Sequence, residues 1–400
     1  MSRTSELIAL EDRYGAHNYH PLDIVIERGE GAYVFDAEGR RYLDALAAYS
    51  AANQGHSHPR ILETMIAQAA RVTITSRAFR NDQLGPFCRE LADLCALDVV
   101  LPMNTGAEAV ETAIKAARRY GYRKLGIPDG RAEIVVFDDN FHGRTTTIVG
   151  FSSDEAYKRD FGPFTPGFVS IRFGDLPSLA DAIGPNTCAV LVEPIQAEAG
   201  VLVPPDGYLR RASELCRERG VLFIADEIQT GLGRTGDMFA CDREDVRPDL
   251  LLLGKALSGG YYPVSAVVGR RDVLELFEPG SHGSTFGGNP LGCAVARTAL
   301  RVVVDEQLAQ RARDLGEPFI ERLRQIDSPL IVEVRGRGLL VGVELNVPAR
   351  PFCEALAARG VLCKDTHDET LRLTPPLVVS AADLAWLAEQ VEAVLTPVRA

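Results

Sequence analysis

The chain has 400 residues, of which 46% are hydrophobic and 24% are charged, a balance typical of a soluble globular protein with a large core. Its formal net charge of −12 argues against binding to nucleic acid or to anionic membranes, because both need a basic surface. The apolar runs are too short to span a membrane, and the first residues lack the apolar core of a secretory signal peptide.

The cysteines are scattered, and none forms a Cys-x-x-Cys pair. Such spacing favours reduced thiols over a zinc site or a disulfide framework. We therefore expect a cytoplasmic protein without a metal site.

In chain order, residues 1–45 are expected to form an N-terminal arm that contains a short strand at 32–36, between two glycine turns. Residues 49–59 read as a loop. This loop holds His56 and His58, but no carboxylate or thiol lies near them in the sequence. We therefore expect loop structure rather than a metal site.

A helix is predicted to begin after Thr105-Gly106, because Val110, Ala113 and Ala117 recur at helical spacing. The free amides at a helix N-terminus can hold a phosphate group. Thr105 can equally serve as a plain N-cap. The glycine beside it favours the phosphate interpretation.

From about residue 133 to residue 255, apolar strands alternate with helical patterns, which predicts a mostly parallel sheet covered on both faces. The predicted strands are 134–137, 188–192, 221–225 and 250–253, with a helix at 207–219. Ligands of such sheets bind beyond the carboxyl ends of the strands. Asp226 and Lys255 follow two of these strands, so we expect both side chains in one crevice.

Lys255 stands at the end of a run of four leucines. Poor solvation at the mouth of an apolar strand lowers the pKa of a lysine and favours the neutral amine, which can condense with a carbonyl group. The alternative is a lysine that only extends to solvent. This stretch alone leaves both interpretations open.

One motif resembles a nucleotide-binding pattern but is not expected to form such a site. Residues 231–236 match the Gly-x-Gly-x-x-Gly pattern of dinucleotide-binding proteins. In those proteins a strand leads directly into a helix. Here residues 226–230 intervene, and residues 237–242 carry no helical stripe, so we expect no nicotinamide site.

A helix of alanines and valines beyond Gly292 leads into a smaller C-terminal domain. This domain is expected to hold strands at 330–334 and 339–345, separated by a loop, and a final helix that begins at Ser380 with a capping box formed with Asp383. The chain would then divide into residues 1–45, 46–292 and 293–400.

A carbonyl-reactive lysine, an aspartate at a neighbouring strand end and a phosphate-binding helix start are the groups that pyridoxal phosphate requires. Further motifs extend over the chain: 14–22 (YGAHNYHPL), 52–59, 101–106 (LPMNTG), 141–144 (FHGR), 192–200 (VEPIQAEAG), 222–233 (LFIADEIQTGLG), 252–258, 282–292 (HGSTFGGNPLG) and 364–367. From end to end the chain resembles the class III, fold-type I pyridoxal-phosphate aminotransferases, and among them those that act on ornithine. The resemblance implies an α/β fold, with a large domain around a mostly parallel seven-stranded sheet, a smaller α+β C-terminal domain and an N-terminal arm.

The resemblance also implies roles for individual residues. Lys255 would carry the cofactor and move the proton during catalysis, and Asp226 would keep the ring nitrogen protonated. The other implied cofactor contacts are Gly106 and Ala107 at the phosphate, Phe141 and His142 in the loop against the ring, Gln229 at the phenolic oxygen, and Ser284 and Thr285 from a partner subunit. The last two imply a homodimer or higher oligomer with shared active sites; their plain alternative is turn structure, and that of Phe141 is core packing.

For the substrates, Arg372 resembles the arginine that binds the α-carboxylate of the oxo-acid, and Glu198 resembles the glutamate that pairs with it while ornithine is bound. An unpaired arginine would attract ornithine in the wrong orientation. Arg144 and Tyr19 resemble the groups that hold the α-carboxylate of ornithine, with Tyr49 lining the pocket between the two ends.

The implied reaction moves the terminal amine of ornithine to 2-oxoglutarate, giving glutamate and glutamate 5-semialdehyde, which cyclises to pyrroline-5-carboxylate. Acetylornithine, lysine or 4-aminobutyrate aminotransferases are alternatives within the family. A non-catalytic pyridoxal-phosphate-binding protein and an aminomutase are alternatives outside that reaction. Ala197 and Tyr261 depart from the family pattern close to the site, where they are expected to narrow the pocket.

Overall fold

The computed structural model describes residues 2–396 and builds them around a seven-stranded sheet. Across this sheet the strands are Val99–Met103, Ser265–Gly269, Leu250–Leu253, Leu222–Asp226, Thr187–Val192, Glu133–Phe137 and Phe168–Ile171. Ser265–Gly269 pairs antiparallel with both neighbours, and the others share one direction. The predicted α/β class and mostly parallel sheet are confirmed.

The apolar strand runs follow from burial on both faces of this sheet. Leu250 and Leu252 pack into one core cluster, whereas Leu251 and Leu253 pack into another. Because successive side chains of a strand point to opposite faces, four consecutive leucines serve both clusters. The helices of this part of the chain are Pro59–Ala69, Leu84–Cys95, Gly106–Lys124, Thr146–Gly150, Glu155–Lys158, Leu176–Ala182, Tyr208–Arg219, Arg271–Leu274 and Pro290–Asp305.

The N-terminal residues form the helix Arg3–Tyr14 and three antiparallel strands, Ile26–Glu30, Tyr33–Asp36 and Arg41–Asp44. The predicted short strand is confirmed. The third strand pairs in parallel with Val361–Leu362, so the N-terminal segment is joined to the C-terminal part of the chain.

The C-terminal residues form a second four-stranded sheet with three helices around it. Its strands, in order across the sheet, are Ile331–Arg337, Leu340–Leu345, Thr370–Leu373 and Lys364–Thr366, and the helices are Leu308–Arg324, Arg350–Ala358 and Ala381–Leu395. The final helix begins with the predicted capping box of Ser380 and Asp383.

The loop predicted at residues 335–338 is wrong, because the first strand continues to Arg337. Arg335 and Arg337 pair across the hairpin with Gly342 and Leu340. The turn is therefore confined to Gly338 and its successor. Gly338 has a φ of +56°, and an added Cβ would lie 2.5 Å from the backbone of residue 235, so only glycine suits this tight turn.

Other predictions are refined. Residues 227–239 form turns, and the next element is the 3₁₀ helix Ala240–Glu244, so the Gly-x-Gly-x-x-Gly segment does not open a helix. The helix Pro290–Asp305 crosses the proposed boundary at 292/293, and the division of the chain there stays a prediction. Within residues 2–396, no helix combines the length and the apolar character needed to cross a membrane.

Candidate active site

A cavity of about 200 Å³ lies where three strands of the large sheet end, after residues 192, 226 and 253. The predicted cofactor contacts that line it are Gly106, Ala107, Phe141, His142, Asp226, Gln229 and Lys255. The remaining lining residues are Gly143, Glu193, Ile195, Ile228 and Thr230. The parallel sheet thus brings together residues that are far apart in the sequence.

Lys255 begins the 3₁₀ turn Lys255–Ser258. Only Gly254 separates it from the end of the strand Leu250–Leu253. Burial lowers the pKa of Lys255 to about 8, although the negative charges of Glu198 and Asp226 act in the opposite direction. A lysine of this kind holds a much larger neutral fraction near neutral pH than an exposed lysine does. Its amine is therefore suited to act as a nucleophile.

Asp226 ends its strand with both carboxylate oxygens engaged. Oδ2 accepts a hydrogen bond from Nδ1 of His142 at 2.6 Å, and Oδ1 accepts one from the backbone N–H of Ile228 at 3.1 Å. Burial alone would lower the pKa of His142, but the hydrogen bond and charge of Asp226 outweigh it and raise that pKa. The imidazole and the backbone of Ile228 thus fix the orientation of the Asp226 carboxylate at the wall of the cavity.

The helix Gly106–Lys124 points its N-terminus at the same cavity. Thr105 caps it: its hydroxyl accepts from the N–H of Glu108, while the Glu108 carboxylate accepts from the N–H of Thr105 at 2.8 Å. The N–H groups of Gly106 and Ala107 have no partner within the helix, as in any first turn. The N-cap role of Thr105 is confirmed, and the two free amides provide an anion site that suits a phosphate.

These groups fit pyridoxal phosphate. The cofactor needs an amine for its aldehyde, a carboxylate for its ring nitrogen and amides for its phosphate. Lys255, Asp226 and the helix start at Gly106 supply the three groups around one cavity. Phe141 adds an aromatic wall, and its ring meets that of Tyr157 edge to face at 6.1 Å.

Arg372 and Glu198 form a closed pair near the lysine. Nη1 of Arg372 donates to Oε1 of Glu198 at 2.7 Å, and Nε2 of Gln229 donates to the same oxygen at 3.1 Å. Burial acts to raise the pKa of Glu198, but the charges of Arg372 and Lys255 lower it overall. The structure thus holds a buried arginine whose charge is neutralised by a single carboxylate.

The residues predicted for the two substrate ends differ in placement. The guanidinium of Arg372 lies 4.6 Å from the ring centre of Tyr49, as expected for a shared pocket. The guanidinium of Arg144 lies 3.7 Å from the ring centre of Tyr157, and no carboxylate of residues 2–396 forms an ion pair with it. Tyr19 is 74% exposed and does not line the cavity.

Ser284 and Thr285 also lie outside the cavity lining. The hydroxyl of Ser284 accepts from Nδ2 of Asn104 at 2.7 Å and from the N–H of Gly287 at 3.2 Å, whereas Thr285 is exposed. Within one chain, these two residues do not complete the candidate cofactor site.

Glu193 and Tyr157 lie at the site, and the sequence predicted no role for either. Glu193 directly follows the strand Thr187–Val192, and its carboxylate accepts from the N–H of Phe141 at 2.9 Å. Burial raises the pKa of Glu193 to about 8. The strand-end rule that singled out Asp226 also applies to Glu193, whereas no sequence pattern marks Tyr157.

The expected narrowing of the pocket is not observed. Ala197 packs in a small cluster with Ile195, Val201 and Leu340, and the hydroxyl of Tyr261 donates to the carbonyl of residue 58 at 2.9 Å. Neither side chain lines the cavity.

The two histidines of the 49–59 loop are held separately. Nε2 of His56 donates to Asp44 at 2.7 Å, and Nε2 of His58 lies 3.0 Å from Glu306. Across the described residues, His, Cys, Asp and Glu side chains form no cluster of three or more that could hold a metal ion.

Comparison with known proteins agrees with this site. The family model described as aminotransferase class-III matches residues 14–395. An ornithine aminotransferase of Bacillus cereus (strain 03BB102) is 57% identical over 396 residues, which cover 99% of this chain and 100% of that protein.

Among solved structures, an ornithine aminotransferase from Toxoplasma gondii with partial occupancy of PLP at its active site aligns with a TM-score of 0.97 and 46% identity. The alignment covers 98% of this chain and 94% of the other. An acetylornithine aminotransferase from Elizabethkingia anophelis aligns with a TM-score of 0.90 and 46% identity, over 99% of both chains. This chain belongs to the class-III aminotransferases, a family of pyridoxal-phosphate-dependent enzymes.

Proposed function

We propose that the chain is an ornithine δ-aminotransferase, which transfers the terminal amine of L-ornithine to 2-oxoglutarate. Its full-length likeness to ornithine aminotransferases supports this proposal. The structural observation that carries it is the closed pair of Arg372 and Glu198 beside Lys255. This pair lets one site accept two substrates whose carboxylates must lie at different ends.

Bound pyridoxal phosphate supplies an aldehyde that takes up amino groups and a ring that accepts the electron pair left when the substrate loses a proton. Lys255 would provide the amine that holds the cofactor. Its side chain would also remove a proton from the substrate carbon and return it at the neighbouring position. A pKa of about 8 suits both roles, because the neutral amine takes up the proton and the protonated amine gives it back.

Asp226 would hold the proton on the ring nitrogen. His142 donates to Oδ2 of Asp226 and fixes the orientation of the carboxylate, so the pair acts as one buried unit. The amides of Gly106 and Ala107 would bind the phosphate, and Glu193 fixes the loop that carries Phe141 through its backbone N–H. Gln229 would reach the phenolic oxygen of the ring from its place beside Glu198.

Substrate selection follows from charge. With Arg372 neutralised by Glu198, the α-carboxylate of ornithine gains little from the near end of the pocket and binds instead at Arg144 and Tyr19. The terminal amine then points at Lys255. When 2-oxoglutarate enters, its α-carboxylate competes with Glu198 for Arg372. The oxo carbon then takes the place of the terminal carbon of ornithine.

A second candidate is acetylornithine aminotransferase, favoured by the likeness to the Elizabethkingia anophelis enzyme of that name. The two functions differ in the far end of the pocket, because an acylated α-amine changes what Tyr19 and Arg144 must recognise.

The deciding experiment offers ornithine, N-acetylornithine, lysine and 4-aminobutyrate in parallel with 2-oxoglutarate. Pyrroline-5-carboxylate is trapped with an aminobenzaldehyde reagent and glutamate is quantified. Turnover with ornithine and trapped pyrroline supports the proposal, whereas glutamate formed mainly from another amine overturns it.

A homodimer with shared active sites is part of the proposal. Large apolar side chains are exposed along the helix Pro59–Ala69, the segment after it and the loop of Ser284 and Thr285: Leu62, Ile66, Val72, Ile74, Phe79 and Phe286. Exposed apolar side chains of this size commonly mark a protein interface. A second copy seated there would bring Ser284 and Thr285 to the site of its partner.

A cytoplasmic location completes the proposal. Its support is the state of the cysteines, which are all free thiols and, except for Cys88, buried. Unpaired thiols are typical of proteins kept in a reducing compartment.

A further inference from the structure

The chain from Ala47 to Ser50 forms a left-handed turn next to the candidate active site. Its four residues have φ values of 47°, 47°, 60° and 71°, and none of them is glycine. Left-handed backbone is unfavourable for residues that carry a Cβ, and runs of it are rare. The surrounding structure must therefore hold this turn in place.

Asp44 provides one set of restraints. Its Oδ1 accepts hydrogen bonds from the N–H groups of Leu46 and Ala47, both at 2.9 Å. Its Oδ2 accepts from Nε2 of His56 at 2.7 Å, and the residue is 7% exposed. One buried carboxylate thus satisfies the amides that lead into the turn, and His56 fixes the orientation of that carboxylate.

Thr374 provides the opposite restraints. Its N–H donates to the carbonyl of Ala45 at 2.7 Å, and its hydroxyl donates to the carbonyl of Leu46 at 2.9 Å. Thr374 stands two residues after Arg372, directly beyond the strand Thr370–Leu373. The same stretch of chain therefore anchors the left-handed turn and carries the arginine.

The turn presents one side chain to that arginine. The ring of Tyr49 lies 4.6 Å from the guanidinium of Arg372, which in turn donates to Glu198. A ring at this distance attracts the cation and limits the directions in which it can move. The ring of Tyr49 thus forms a wall beside Arg372, and displacement of the turn would remove this wall.

We propose that Asp44 is a positioning residue for the oxo-acid end of the active site. Through the left-handed turn it places Tyr49 against Arg372, and so sets the direction from which Arg372 meets the carboxylate of 2-oxoglutarate or glutamate. The inference rests on the proposed role of Arg372. Ornithine binds while Arg372 is paired with Glu198, so it depends less on this wall.

The test compares Asp44→Ala with Asp36→Ala in the holoenzyme. Asp36 is a matched control, because its Oδ1 accepts two backbone amides of a turn and its Oδ2 accepts the hydroxyl of Tyr42, but its turn lies at residues 36–40. The two half-reactions are followed separately by cofactor absorbance, one with glutamate and the other with ornithine. Melting temperatures of both variants report the loss of folding stability.

For Asp44→Ala we expect a fall of about tenfold in kcat/KM for glutamate and 2-oxoglutarate, mainly through KM, with a change of less than about threefold for ornithine. Asp36→Ala should leave the ratio of kcat/KM for glutamate to kcat/KM for ornithine unchanged. Asp44→Asn keeps an oxygen for the two amides and should retain most of the activity with glutamate.

A rescue experiment separates positioning from loss of folding. Adding Ala48→Gly to Asp44→Ala makes the left-handed turn easier to adopt, because glycine has no Cβ. We expect this change to restore at least part of the glutamate half-reaction. An equal loss on both substrates, or the same ratio change in Asp36→Ala, would overturn the proposal. Since the glutamate half-reaction does not depend on the amine donor, failure of ornithine as a substrate would overturn the proposed function alone.

Discussion

Arg372 and Glu198 are joined by a 2.7 Å hydrogen bond, and the arginine is only 1% exposed. The strand Thr370–Leu373 supplies the arginine, and a turn beyond the strand Thr187–Val192 supplies the glutamate. Among the described residues Glu198 is the one carboxylate that pairs with Arg372, so the pair acts as a switch: the carboxylate of a substrate binds the arginine by replacing Glu198.

Glu198→Gln should reverse the substrate preference. Without the carboxylate, Arg372 keeps its full charge and captures the α-carboxylate of ornithine in the wrong orientation. We expect kcat/KM for ornithine to fall by about tenfold or more, while the glutamate half-reaction is maintained or improved. Single-turnover absorbance with each amino acid measures both changes.

The matched control is Glu344→Gln, which removes the acid from another arginine pair, that with Arg335 in the neighbouring strands. It should change neither half-reaction. If Glu198→Gln lowered both half-reactions by the same factor, the switch would be excluded.

Uptake of the cofactor should depend on pH through Lys255. Burial lowers its pKa to about 8, so the neutral amine is the minority form below that pH and the main form above it. At pH 7 the neutral fraction is about a tenth, far more than for an exposed lysine. The rate at which the cofactor-free protein binds pyridoxal phosphate should rise about tenfold per pH unit below 8 and level off above it.

Stopped-flow absorbance over pH 6 to 9.5 measures this dependence. Lys255→Ala should lose the absorbance of lysine-bound cofactor, and persistence of that band after dialysis would remove Lys255 from its role. A rate that keeps rising tenfold per pH unit up to pH 9.5 would show that the amine is not poorly solvated.

The sequence predicted more of the large sheet than of the pocket. Four buried strands and the ends at Asp226 and Lys255 could be recognised, because strand burial leaves continuous apolar runs and parallel strands share one ligand edge. The extension of the strand to Arg337 and the left-handed turn at 47–50 could not. The first is fixed by pairing with Leu340 and Gly342 across the hairpin. The second is held by hydrogen bonds from Thr374, which is distant in the sequence.

The site residues differ in how far the sequence alone identified them. Asp226 and Lys255 were predicted from their positions alone, whereas Arg372 and Glu198 were named only through family resemblance. Glu193 had the same strand-end signal as Asp226 and received no role. Ala197 was expected to narrow the pocket because it departs from the family pattern close to the site, but its methyl group packs into a core cluster.

Tyr19→Phe should lower kcat/KM for ornithine far more than it lowers kcat/KM for glutamate. In the structure Tyr19 is 74% exposed, so its assigned contact with the α-carboxylate of ornithine would form when the substrate binds. Loss of one hydrogen bond to a charged group corresponds to roughly a tenfold fall in kcat/KM. Steady-state kinetics with ornithine, and the glutamate half-reaction, provide the measurement.

Tyr14→Phe is the control for this change, since Tyr14 lies in the same N-terminal segment and is 73% exposed. It should leave both substrates unaffected. An equal effect of Tyr19→Phe on ornithine and glutamate would contradict the role proposed for this hydroxyl.

Mixed dimers should show whether Thr285 serves the partner subunit. Lys255→Ala and Thr285→Ala are each prepared as inactive or weakened proteins, then dissociated and reassociated together. If the sites are shared, a mixed dimer places both defects in one site and leaves the other site intact. Activity should therefore rise towards about half of the wild-type value per mixed dimer, whereas defects within one chain leave both sites damaged.

Lys255→Ala mixed with Asp226→Ala is the matched control, because both residues line the cavity of their own chain. This mixture should gain no activity, since each of its sites carries one defect. Size-exclusion chromatography of each mixture verifies that dimers have formed again. Recovery in the Thr285 mixture alone would place the hydroxyl of Thr285 in the partner's site; equal behaviour of the two mixtures would confine Thr285 to turn structure within its own chain.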